Sequence, residues 1–233
     1  MSSDSKDAGA MESLYPFLYA EPSDLPAVLE EVRVSTVAKT EEIAELRREI
    51  ARRDSERIVA CARDMAARFA AGGRLFAFGN GGSATDAAQL ATLFLHPPAF
   101  LTPSGAAPPL PAFGLANDTS VVTALCNDIG VDVVFARQLG AFGRAGDIAV
   151  GLSTSGNSPN LLRAFDEASR RGLLTIGLAG YDGGKMAELA TIDYLFVAPS
   201  TSIHRIQEAQ TTIYQVLWEL TAAEVAHVSR DSG

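Results

Sequence analysis

Two short apolar runs in this chain each end in a glycine–serine turn that opens a helical pattern. This repeated unit restricts the fold more than any other feature. RLFAF at 74–78 runs into Gly79-Asn80-Gly81-Gly82-Ser83 and then the helical stretch ATDAAQLATLFL at 84–95. DIAVGLS at 147–153 runs into Thr154-Ser155-Gly156-Asn157-Ser158 and then PNLLRAFDEASRRG at 159–172. Strand, turn and helix in that order form a βα unit, and successive βα units build a parallel sheet. AFGLA at 112–116, LLTIGLA at 173–179 and DYLFVAP at 193–199 supply three more strands. Their Leu, Ile, Val and Phe content indicates cover on both faces. Residues 97–110, rich in proline and small residues, read as a loop, and 119–143 as one or two helices broken near Asn127-Asp128-Ile129-Gly130. Right-handed crossovers then give an α/β, three-layer, doubly wound fold with a five-stranded parallel sheet of the flavodoxin-like kind.

Helices are expected at both ends. Ile43, Leu46, Ile50, Ile58, Cys61, Met65 and Phe69 recur at helical spacings over 36–71, and Gly72-Gly73 closes that run as a C-cap does. Residues 203–228 read as a long amphipathic helix. The two helices carry more apolar positions than one sheet face can cover, which predicts a homo-oligomer. Residues 1–12 are small and polar, and 13–30 hold aromatics and three prolines leading towards a helix. The expected division is therefore an N-terminal tail and docking segment over 1–35 and a single domain over 36–229.

Charge narrows the partners. The 19 Lys and Arg against 28 Asp and Glu give a net charge of -9, which argues against direct binding to nucleic acid or anionic membranes. It leaves room for a small anion held by backbone N–H groups. Cys61 and Cys126 form no CxxC pair and are expected to be reduced thiols. The polar start MSSDSKDAGA has no apolar signal region, and no apolar run reaches the roughly 20 residues of a membrane span. The expected setting is cytoplasmic.

In an open parallel sheet, small molecules bind beyond the carboxyl ends of the strands, where both Ser/Gly turns fall. Glycines let the backbone approach an anion, the N–H groups of the following helix point at it, and hydroxyls add donors. Ser and Thr also cap helices and glycine also makes corners. Two such turns on two strands of one sheet favour an anion site. Ser83, Ser153, Thr154, Ser155 and Ser158 are the expected phosphate ligands, with Asn80 and Gly81 beside the rest of the molecule. Neither turn carries GK[ST] or GxGxxG, so nucleotide readings are weak.

FGNGGSATDA (78–87), ANDTSVVTALCNDIG (116–130), GDIAVGLSTSGNSPNLLRA (146–164), GLAGYDGGKMAELA (177–190) and RIQEAQ (205–210) resemble the SIS (sugar isomerase) family. Within it they are similar to the phosphoheptose (sedoheptulose-7-phosphate) isomerase branch. The resemblance implies a phosphosugar site and a homotetramer with active sites between subunits. It also exposes departures. Where that branch carries a metal-binding His and a catalytic Glu after GNGGS, this chain has Gln89 and Leu93. Where it carries a Gln in RIQE and a His eight residues on, this chain keeps Gln207 but has Gln215. Zinc prefers His, Cys and carboxylate, so no metal and no other cofactor are expected. Gln89, Gln207 and Gln215 are instead expected to meet sugar hydroxyls, together with Asp118.

Isomerisation also needs a base, and Leu93 removes the branch's own. His204, Glu208 and Asp118 are the candidates for a relocated base, with His96 and His227 as lesser ones. Three functions follow: a phosphosugar-binding protein without the branch's metal chemistry, an active aldose–ketose isomerase with a relocated base, or a protein-interaction scaffold like the DnaA-binding SIS proteins.

Overall fold

The computed structural model describes residues 25–98 and 108–231. Helix α1 (Leu25–Ala70) leads into β1 (Leu75–Gly79) and α2 (Gly82–Leu95). Next come β2 (Ala112–Gly114), α3 (Thr119–Asp128) and, after a short 3-10 turn, α4 (Val134–Phe142). Then follow β3 (Ile148–Leu152), α5 (Pro159–Arg170), β4 (Leu174–Gly180), β5 (Tyr194–Ala198) and α6 (Ile203–Asp231). Part of the expected 97–110 loop, residues 99–107, lies outside the described residues, as do 1–24.

The five strands pair in parallel in the order β2-β1-β3-β4-β5. Side chains alternate across the sheet as a pleat requires. Leu75 and Ala77 join a core built with α1, α2 and α6, while Phe76 and Phe78 join a second core built with α4 and α5. β1, β3 and β4 are buried throughout, which explains their apolar character, broken only by Thr175, whose hydroxyl donates to Asp193 at 2.9 Å. Trp218 and Tyr214 of α6 are among the largest fully buried side chains.

The chain divides into two compact units, residues 1–42 and 43–233; the sheet belongs to the second. In the first, the described residues are helical and Arg33 pairs with Glu30 at 2.6 Å. Helix α1 begins at Leu25, earlier than the expected 36. Pro26, one of the three prolines of the expected docking segment, stands in the first turn, where its missing N–H costs no helix bond. No helix among the described residues is long and apolar enough to cross a membrane.

Candidate functional site

After β1 the chain moves to one side of the sheet to form β2, and it returns to form β3 on the other side of β1. The carboxyl ends of β1 and β3, paired at Gly79 and Leu152, therefore flank the switch point where such sheets open a crevice. Both Ser/Gly turns lie there.

In the first turn Gly81 takes a left-handed φ of 56° and α2 starts at Gly82. In the second, Ser153 Oγ accepts from the N–H of Gly156 at 3.0 Å and Ser155 Oγ accepts from that of Asn157 at 3.2 Å. Gly156 has φ 65°, and a Cβ there would lie 1.9 Å from the carbonyl oxygen of Gly183, so no side chain fits. The Gly183 segment locks the turn from outside: Met186 N–H donates to the Gly156 carbonyl at 3.0 Å and Lys185 N–H to Asn157 Oδ1 at 3.0 Å. Ser158 is the N-cap of α5 but makes no side-chain capping bond, so its hydroxyl is not committed to the helix. The two turns are tied by a reciprocal amide pair between Asn80 and buried Asn160, both bonds at 2.9 Å.

Helix α6 closes the site from below. A Cβ on Gly82 would stand 2.3 Å from Gln207 Nε2, so the Gln207 amide lies directly against the first turn. Gln210, fully buried, donates to the Ser153 carbonyl at 3.1 Å and leaves its Oε1 without a partner. The buried Tyr214 hydroxyl likewise meets no partner in hydrogen-bond geometry. Its polar neighbours are Thr211 and Asp86 of α2. Burial holds the Asp86 carboxyl above its ordinary range, against the opposing pull of the Tyr214 hydroxyl.

That shift has a measurable consequence. Because the folded state holds the Asp86 proton more tightly than the unfolded chain, the associated stability is complete below the ordinary value near 3.8. It is lost as pH rises through the folded value. Asp86→Asn, neutral at every pH, should flatten that part of the curve and melt higher than wild type above it. Melting curves across pH that run parallel for the two proteins count against this assignment.

A cleft of about 980 Å³ opens beside the second turn, lined by Ser155, Asn157, Tyr181, Asp182, Pro199, Ser200 and Thr201. It lies beyond β3, β4 and β5. Tyr181 takes φ 53°, a left-handed conformation that costs an ordinary residue about 1–2 kcal/mol.

The model of the SIS domain matches residues 40–180, more than half of the chain. The chain belongs to the SIS domain family. The phosphoheptose isomerase of Pelodictyon phaeoclathratiforme is 47% identical over 178 residues, covering 76% of this chain and 82% of its own. That of Nitratidesulfovibrio vulgaris Hildenborough is 42% identical over 192 residues, covering 82% and 89%. Among solved structures, the phosphoheptose isomerase of Neisseria gonorrhoeae superimposes with a TM-score of 0.74 at 34% identity, covering 82% of this chain and 99% of that one. In sequence and fold this SIS domain is phosphoheptose isomerase-like.

The expected site residues separate in space. Ser153, Thr154, Ser155 and Ser158 share the second turn, buried Ser83 opens α2 beside the first, and Asn80, Gly81 and Gln207 border it. Gln89 and Gln215 are exposed on α2 and α6, and Leu93 packs partly against the core. Asp118 caps α3, accepting from the N–H groups of Ser120 at 3.0 Å and Val121 at 3.1 Å. Glu208 is ion-paired with Arg205. His204 is exposed near the start of α6, and His96 and His227 are exposed too. Sequence reasoning passed over Asp86, Asn160, Gln210 and Tyr214. Helical spacing was the available signal: Asp86 follows Ser83, and Gln210 follows Gln207, by three residues.

Proposed function

We propose that this SIS domain binds a phosphorylated sugar, with the phosphate on Ser83, Ser153, Thr154, Ser155 and Ser158 and the sugar beside Asn80, Gly81 and Gln207. The juxtaposition of two Ser/Gly turns at the switch point between β1 and β3 carries this reading. It offers an anion two glycine-rich approaches, two helix N-termini and five hydroxyls without any arginine. The names of the phosphoheptose isomerase relatives agree with a phosphosugar. Titrating inorganic phosphate and sedoheptulose 7-phosphate into the protein, followed by calorimetry, tests it; no binding of either overturns it.

The same reading leaves out the zinc chemistry of the branch. The donors at the matching positions would be Gln89, Leu93, Gln207 and Gln215, which offer amides and an alkyl chain to a divalent cation and no anionic ligand. That set does not fit zinc. Amides, with two donors and an acceptor each, suit sugar hydroxyls. A base relocated to Asp118 or Glu208 is disfavoured because these residues already serve a helix cap and an ion pair. The protein is read as a cytoplasmic phosphosugar sensor or assembly factor.

The SIS domain is further read as a homotetramer. None of the ten residues of α3 is buried. An apolar groove of about 190 Å³ between α1 and α6 is lined by Ile50, Val59, Ile213, Val216 and Leu220 among others. Surfaces of this kind normally meet a partner. Light scattering at micromolar concentration should give a multiple of the 24.5 kDa chain mass, with four chains expected; a mass of one chain overturns the oligomer.

A further inference from the structure

Among the described residues, Tyr181 is the single non-glycine position with a left-handed backbone, at φ 53°. It is the first central residue of a turn closed by the N–H of Gly183 donating to the carbonyl of Gly180 at 2.8 Å. Asp182, the second central residue, has no positive φ, and its side chain accepts from the N–H of Gly184 at 3.0 Å. A turn left-handed at its first central residue alone normally takes glycine there. Glycine is freely used at the neighbouring positions, in Gly180, Gly183 and Gly184. Here a bulky aromatic stands instead. Strain of this kind persists where the surroundings hold it and gathers at functional sites.

The fold gains little from this ring. Tyr181 is 38% exposed and belongs to neither buried core. It lines the cleft that Ser155 and Asn157 of the phosphate turn also line, facing Pro199, Ser200 and Thr201 of the β5–α6 connection. The other lining groups are small or polar, so Tyr181 is the large apolar surface there. Binding clefts combine such surfaces with a few placed polar groups. The C–H faces of a sugar need an apolar wall; a phosphate does not.

We infer that Tyr181 is a specificity-determining residue, whose ring packs against the carbohydrate part of the phosphosugar while the serine turns hold its phosphate. This rests on the phosphosugar reading above, and the experiment separates the two. Calorimetric titrations of inorganic phosphate and of sedoheptulose 7-phosphate are run on wild type, Tyr181→Ala and Tyr181→Phe, and Tyr181→Gly is melted beside wild type. Alanine keeps a Cβ at the strained position, so the turn is not relaxed and only the ring is lost. Tyr181→Ala should weaken sedoheptulose 7-phosphate about tenfold, the size of one lost aromatic contact, and leave inorganic phosphate unchanged. Tyr181→Phe should bind both as wild type does. Tyr181→Gly should melt higher than wild type, because the turn is then relaxed. Equal losses for both probes in Tyr181→Ala, no loss for either, or a lower melting temperature for Tyr181→Gly overturn the inference and leave the phosphate site standing. Wild-type protein that binds neither probe overturns both.

Discussion

Incubated with sedoheptulose 7-phosphate, the protein should release no aldose at the rates of about 1–1000 per second usual for enzymes. Moving a proton between adjacent carbons needs a base in reach, and a positioned base is worth about 10²–10⁴-fold. The resemblance puts the branch's glutamate at Leu93, whose side chain packs partly against the core. On the same resemblance Gln89 and Gln215 fall at the histidine positions, and with them the proposed function expects no zinc to polarise the carbonyl. Installing Gln89→His, Leu93→Glu and Gln215→His together should create zinc binding, measurable by metal analysis after dialysis. Some turnover is expected to return with it. Leu93→Glu puts a charge at a half-buried position and should lower stability, so the triple variant is compared at a temperature where both proteins are folded. Wild-type isomerase activity at an ordinary enzyme rate, abolished by a chelator, overturns this account of the site.

Replacing two serines should have an effect of similar size on binding. Each hydroxyl bond to a charged oxygen is worth about 1.5–3 kcal/mol. Ser83→Ala with Ser155→Ala should then remove about 3–6 kcal/mol, or about 10²–10⁴-fold in affinity for inorganic phosphate and sedoheptulose 7-phosphate. The stabilisation these compounds give in a thermal melt should vanish with it. The fold itself should tolerate the change. Among the described residues, Ser155 Oγ accepts from the N–H of Asn157, an exposed residue whose N–H can turn to water. An unchanged melting response in the double variant would remove the serine turns from the phosphate assignment.

The fold was legible because strand and helix periods differ sharply here. Each strand begins and ends within two residues of its sequence reading, since β1, β3 and β4 are almost wholly apolar, with Thr175 the one polar side chain among them. The break expected near Asn127–Gly130 falls at Ile129-Gly130, between the end of α3 at Asp128 and the turn before α4. The start of α1 was not legible, because Pro26 signals a stop and a first-turn proline with equal force. The serine turns could be read locally, since glycine and hydroxyl chemistry sit in consecutive positions. Asp86, Gln210 and Tyr214 could not. Each looks like an ordinary residue on its own helix, and only the packing of α6 against α2 places them together. Asp118 shows the converse: an acidic residue beside a possible site proved to be a helix cap.

The Gln210 bond to Ser153 spans 57 residues of chain, and Gln207 reaches back still further, to Gly82. Contacts of such long sequence separation require the loop-closure entropy of the intervening chain to be met first. Both serine turns lie before residue 160, yet their floor is supplied by the last helix of the chain. A molecule whose final helix has swung away keeps the hydroxyls and loses the amides beneath them. Occupancy of the site and seating of α6 are therefore thermodynamically linked: whatever the pocket holds also suppresses partial opening of the C-terminal end, by the same mass action that favours the closed state.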